Sequence, residues 1–105
     1  MSRAAASSDV FRAIAERNRR ALLDTLRAGE QPVGQLVAAT GLSYSLVSQH
    51  LQVLLETGMV ERRPEGRQRL YRLEPGPIEV VHTWAGGYQQ FWPDRLANLR
   101  RHLDR

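Results

Sequence analysis

Cysteine is absent from this 105-residue chain, and so is lysine. Without cysteine there are no disulfides, no thiolate chemistry and no zinc site that depends on Cys ligands. Long apolar runs are missing too: the longest, Leu36 to Ala39, is four residues. A membrane span needs about 20, and a secretory leader needs an apolar stretch of about 7–15 residues behind basic ones. The expected location is therefore the cytoplasm, with no membrane partner. There is no Gly-rich phosphate loop, no recognisable Ser/His/acid spacing and little room for a sizeable pocket, so no enzyme is expected. What is present is ordinary for a small folded domain, 42% apolar and 25% charged, which argues against wholesale disorder.

Eleven acids face fifteen bases, a net charge of +4, and every base is arginine. Guanidinium forks suit phosphate and guanine. Exclusive arginine usage is better explained by codon bias in a GC-rich genome, since Arg is used everywhere in the chain, so the weight falls on where the arginines cluster.

Residues 1-7 read as a disordered arm. Ser8 is a candidate N-cap, followed by Val10, Phe11, Ile14 and Ala15 at helical spacing. Asn18 restarts the pattern, and Leu22, Leu23 and Leu26 form a stripe that Gly29 ends. Helices are expected over 8–16 and 18–28. After Gln31-Pro32, a short helix from Val33 stops at Thr40-Gly41. Ser43 can cap a longer helix to Thr57, with Gly58 as terminator. The period then shortens: 60–63 and 69–73 flank Pro64-Glu65-Gly66-Arg67, the signature of a β-hairpin. Beyond Glu74-Pro75-Gly76-Pro77, the residues Ile78, Val81, Ala85, Tyr88, Trp92, Leu96, Leu99 and Leu103 form a near-heptad with one four-residue stutter after Trp92. Pro93 lies in the stutter, so a kink or helix restart is expected there.

The short helix, tight turn and longer helix over 33–57 fit a helix-turn-helix. On a helical wheel Val47, Leu51 and Leu54 share one face, with Tyr44 toward that side. Ser45, Ser48, Gln49 and Gln52 share the other. Between Ser43 and Leu55 nothing is formally charged unless His50 is protonated. Hydroxyls and amides can pair with base edges, where carboxylates would be repelled by phosphate. Residues 60–73 carry Arg62, Arg63, Arg67, Arg69 and Arg72 against Glu61 and Glu65. A neutral helix beside a basic hairpin divides base reading from phosphate holding, as DNA binders do.

The stretch Ser45-Leu46-Val47-Ser48-Gln49-His50-Leu51-Gln52-Val53-Leu54, with Gly58-Met59-Val60, Glu65-Gly66-Arg67 and Tyr71-Arg72-Leu73, resembles the ArsR/SmtB family of bacterial winged-helix repressors. Glu16-Arg17-Asn18-Arg19 sits where that family often reads Asp-Pro-Thr-Arg and departs from the Pro-Thr pair. The tail, with Trp84, Tyr88, Phe91-Trp92 and Leu96, is similar to that of a metal-independent branch often encoded beside genes for small ligand-binding or stress proteins. The resemblance implies that Tyr44, Ser45, Ser48 and Gln49 meet bases and that Arg67 and Arg69 lie in the wing. Arg19 and Arg20 are secondary phosphate candidates.

The family's Cys-x-Cys metal positions here hold Pro32 and Gly34, which cannot ligate. Of its other metal motif only Glu79-x-x-His82 survives, short of the four ligands zinc wants. No metal and no cofactor are expected. His50 is expected to flank the core of its helix, and His102 to lie on the surface. Trp84, Tyr88, Phe91 and Trp92 suit a dimer core better than a ligand pocket.

The expected fold is mainly α with a small β-hairpin, a dimeric winged helix-turn-helix in the order α-α-α-α-β-β-α. Its parts are an arm 1-7, a DNA-binding domain 8-75 and a dimerisation helix or helices over 76-105. The expected partners are double-stranded DNA and a second copy, with any small-molecule effector unknown. Expected DNA contacts are Tyr44, Ser45, Ser48, Gln49, Gln52, Arg62, Arg67 and Arg69. Expected dimer contacts are Val81, Trp84, Tyr88, Trp92, Leu96 and Leu99. The expected function is a repressor reading a palindromic operator. The alternatives are a metal- or ligand-responsive sensor of the same fold and a protein-interaction winged helix without DNA binding.

Overall fold

The computed structural model describes residues 3–92. Helix α1 spans Arg3–Ile14 and α2 spans Arg17–Leu26; strand β1 is Gln31–Pro32. Helix α3 is Val33–Thr40 and α4 is Tyr44–Glu56; strands β2, Val60–Glu65, and β3, Gln68–Leu73, form the hairpin. Helix α5 is Ile78–Gly86, and a 3-10 turn covers Gln89–Phe91. The strands make one antiparallel sheet in the order β1-β3-β2.

One core serves all of these elements down to the sheet. Val10 and Ala13 of α1, Leu22, Leu23 and Leu26 of α2, and Leu36 of α3 are buried with Val47, Leu51 and Leu54 of α4. Met59, Val60 and Tyr71 close it from the sheet side. Burying a Leu or Val contributes about 1.5–3 kcal/mol, so the three inward residues of α4 pin that helix and leave its opposite face outward. Ser43 caps it as expected, its hydroxyl accepting from the Leu46 N–H at 3.1 Å. Gly41 ends α3 in a left-handed conformation, φ 72°, which a side chain would resist.

Four expectations are corrected. Helix α1 begins at Arg3, inside the stretch expected as an arm, with Ser8 within it rather than capping it; Ala4-Ala5-Ala6 favour helix more than any other residue type. Helix α2 is capped by Glu16, which accepts from the Asn18 N–H at 3.0 Å, not by Asn18. The two-residue strand β1, unforeseen, pairs Gln31 with Tyr71 and Pro32 with Leu70. The helix of the tail breaks at Gly86-Gly87 rather than first at the Trp92 stutter, because two glycines weaken a helix by roughly 1 kcal/mol each. The kink expected at Pro93 lies outside the described residues, as do Leu96, Leu99, His102 and Leu103.

Candidate nucleic-acid interface

The outward face of α4 is the surface that sequence reasoning expected. Ser45, Ser48, Gln49 and Gln52 are all exposed. Gln52 also donates to Glu56 Oε1 at 3.2 Å, so its amide is partly tethered within the helix. Tyr44 corrects the wheel: it is 64% exposed, not turned to the core. It occupies the first turn, and helical side chains lean toward the N-terminus, which carries this ring past the end of the core stripe.

The hairpin supplies the charge, and its register sorts that charge by face. Directly opposed residues of an antiparallel pair share a face. Val60/Leu73, Arg62/Tyr71 and Pro64/Arg69 therefore form one face; Glu61/Arg72, Arg63/Leu70 and Glu65/Gln68 form the other. On the second face the arginines are engaged. Arg63 forks onto Glu30, donating from Nη2 at 2.7 Å and Nε at 3.0 Å. Arg72 pairs with Glu61. Hydrogen bonds from Arg63 hold the Glu30 carboxyl below the ordinary carboxylate range, and those from Arg72 do the same for Glu61. On the first face and at the tip, Arg62, Arg67 and Arg69 have no acidic partner among the described residues. Gly66, at φ 62°, starts the two-residue loop that swings Arg67 out, a loop type that favours Gly there.

These two surfaces meet. A groove of about 540 Å³ lies between α4 and the hairpin, walled by Tyr44, Ser48 and Gln52 on one side and Arg62, Arg67 and Arg69 on the other. Tyr71 and Val33 form part of its lining. Six of the eight expected DNA-contacting residues thus border one concavity. Ser45 and Gln49 stay outside it, exposed on the same helix.

Other candidates resolve differently. Arg19 donates to the carbonyls of Ala13 at 2.7 Å and Arg12 at 3.0 Å, and Arg20 to that of Ile14 at 2.8 Å. They satisfy carbonyls left open at the end of α1 rather than standing free for phosphate. His50 flanks the core as expected, its Nε2 3.6 Å from Glu16 Oε2 and its Nδ1 3.4 Å from Arg19 Nη1. Glu79 and His82 are exposed on α5, and among the described residues no three His, Cys, Asp or Glu side chains gather as a metal site would require.

On the tail, Val81 is half-buried against the chain's own core, whereas Trp84 is 57% and Phe91 70% exposed, with Tyr88 and Trp92 also open. Trp84 meets Phe11 of α1 edge-on at 5.6 Å and Tyr88 at 5.3 Å. Phe11 is half-buried against the core, as its place in a helical apolar set suggests; its contact with Trp84 is what sequence reasoning missed. Among the described residues no helix is long and apolar enough to cross a membrane.

Comparison with known proteins agrees with this geometry. Residues 16–62 match the family described as "Bacterial regulatory protein, arsR family". The chain is 33% identical over 94 residues to the HTH-type transcriptional regulator Rv2034 of Mycobacterium tuberculosis, covering 90% of this chain and 85% of that protein. It is 40% identical over 68 residues to the HTH-type transcriptional repressor SmtB of the same species, covering 65% of this chain and half of that repressor. A homodimeric winged helix-turn-helix DNA-binding domain of Mycobacterium bovis, solved in solution, superposes with a TM-score of 0.67 at 29% identity, over 83% of this chain and 82% of that one. With its neutral helix set beside a basic wing, the chain belongs to the arsR family of bacterial regulatory proteins and is a winged helix-turn-helix transcriptional regulator.

Proposed function

We propose that this chain is a cytoplasmic, dimeric repressor that reads a palindromic operator. The observation that carries it is the shared groove, where uncharged side chains of α4 stand opposite three arginines that have no acidic partner among the described residues. Helix α4 enters the major groove, with Ser45, Ser48, Gln49, Gln52 and Tyr44 toward base edges. Arg62, Arg67 and Arg69 neutralise phosphates alongside it. Two copies join through Trp84, Tyr88, Phe91 and Trp92, the exposed aromatics of the tail, with half-buried Phe11 of α1 beneath Trp84. A solvent-facing cluster of this kind marks an interaction surface, and two-fold symmetry then matches a palindrome with half-sites roughly 34–36 Å apart. The test is selection of bound duplexes from a random pool at near-physiological salt. A two-fold motif is expected; a featureless pool would overturn operator reading.

One observation favours a ligand-responsive form of the same regulator. A mainly apolar cavity of about 420 Å³, lined by Ile14, Leu23, Met59, Leu73 and Ile78 together with the charged Arg20, Asp24, Arg27 and Glu74, lies where α5 leaves the wing. That volume lies within the range of small-molecule sites. Filling it from its exposed side with Ile78→Trp, at a position 39% exposed, should alter operator affinity if an occupant there shifts α5, and should leave it unchanged otherwise.

A further inference from the structure

We infer that Glu30, an acid outside both the reading helix and the hairpin, is a positioning residue that aims the wing at DNA, an inference that rests on the operator-binding reading above. The base of the hairpin is anchored by buried Val60, Leu70 and Tyr71; nearer its tip its pairing with the body is β1, which offers only Gln31 and Pro32 to β3. Strand β2, which carries Arg62, is the far edge of the sheet. Glu30 immediately precedes β1, and extending the register by one residue sets it opposite Arg72. From there its carboxylate crosses β3 and takes both a 2.7 Å and a 3.0 Å hydrogen bond from Arg63 on β2. One side chain therefore ties the two outer edges of the sheet together across its back. A fork onto a carboxylate fixes direction as well as distance.

The strut also decides which arginines are left for DNA. The back face gathers Glu30, Glu61 and Glu65 with Arg63 and Arg72, and Arg63 lies 3.7 Å from Glu65 as well. Among the described residues only Arg62, Arg67 and Arg69 remain without acidic partners on the groove side. Buried Val60 and Tyr71 turn the cationic face toward the body, and Glu30 holds the outer part of the sheet in that orientation, facing α4. The consequence has an unusual sign: removing a negative charge from a DNA-binding protein weakens specific binding.

The test compares Glu30→Gln, Arg63→Glu and the exchanged pair Glu30→Arg with Arg63→Glu. Operator and unrelated duplexes are titrated for each, and 15N relaxation of residues 60–73 is measured without DNA. For Glu30→Gln we expect roughly tenfold weaker operator binding, the scale of one lost specific contact. Its affinity for unrelated duplex should be equal or higher, and its wing amides more mobile. The exchanged pair keeps the wild-type net charge and should recover both wing order and most of the operator affinity. Tighter operator binding by Glu30→Gln with a steeper salt response would overturn the inference, because Coulomb attraction alone predicts it. So would an exchanged pair no better than Arg63→Glu, or unchanged wing relaxation in Glu30→Gln. A wild-type chain that selects no duplex would refute operator reading instead, and the relaxation data would still decide whether Glu30 restrains the wing.

Discussion

Arg67→Ala and Arg72→Ala remove the same charge from the same hairpin, yet they should behave differently on DNA. Arg67 stands at the tip without an acidic partner among the described residues, while Arg72 is paired with Glu61 on the back of the sheet. A dimer presents six groove-side arginines, Arg62, Arg67 and Arg69 from each protomer. If each neutralises one phosphate, they contribute about −5.4 to the slope of log affinity against log salt, at about 0.9 per phosphate. Arg67→Ala removes two of them per dimer, so the slope should become shallower by about 1.8. Between roughly 50 and 200 mM salt the variant should therefore lose about twelvefold less affinity than the wild type. Arg72→Ala should leave the slope within about 0.5 of wild type, since that guanidinium displaces no counterion from DNA. Fluorescence anisotropy on one duplex across that salt range measures both. Equal changes for the two variants would show that net charge, not the face on which an arginine sits, governs binding.

Three further outcomes follow from packing and titration. Trp84→Ala should weaken the dimer and, with it, the operator complex; sedimentation equilibrium that finds an unchanged dimer would refute the role of the tail aromatics. Leu51→Ala, at a position 1% exposed in α4, should lower stability by about 2–5 kcal/mol, read by urea unfolding, where a loss under about 1 kcal/mol would show that the site collapses around the gap. The Glu30 and Glu61 carboxyls are held below their ordinary range, so the ion pairs they make stabilise the fold above the unfolded-state pKa of about 4.3. That contribution fades as pH falls through the lower folded value. The guanidinium resonances of Arg63 and Arg72 should thus stay constant from pH 8 to 5 and change only in more acidic solution. Movement between pH 8 and 6 would contradict the pairing.

Much of the helical fold is legible because it is local. Ser43, Gly41 and the Val47-Leu51-Leu54 stripe each act within a turn or two, and the structure keeps all three. Tyr44 misleads because a wheel records angle but not position along the axis: in the first turn the ring lies beyond the core's end and is exposed. Arg19 and Arg20 read as free cations because their carbonyl partners belong to the end of a helix that stops five and six residues earlier, where only the three-dimensional turn shows them converging. The hairpin's charge is visible in the sequence, but its division between faces is not. That division depends on the Gly66-Arg67 loop, one residue's shift of which would exchange the paired and unpaired arginines. It depends also on Glu30, 33 residues distant from Arg63, which no local pattern connects to the wing.

The claim on which the rest depends is that α4 reads bases while the wing holds phosphates. Its most direct measurement is competition among single-base-pair variants of the selected duplex for wild type, Gln49→Ala and Arg67→Ala. Gln49→Ala should relax discrimination by about 1–3 kcal/mol at one base pair in each half-site and leave the other positions alone, while Arg67→Ala should weaken every duplex to a similar extent. If Gln49→Ala instead lowers affinity evenly across all variants, the helix does not read sequence and its uncharged face has another purpose.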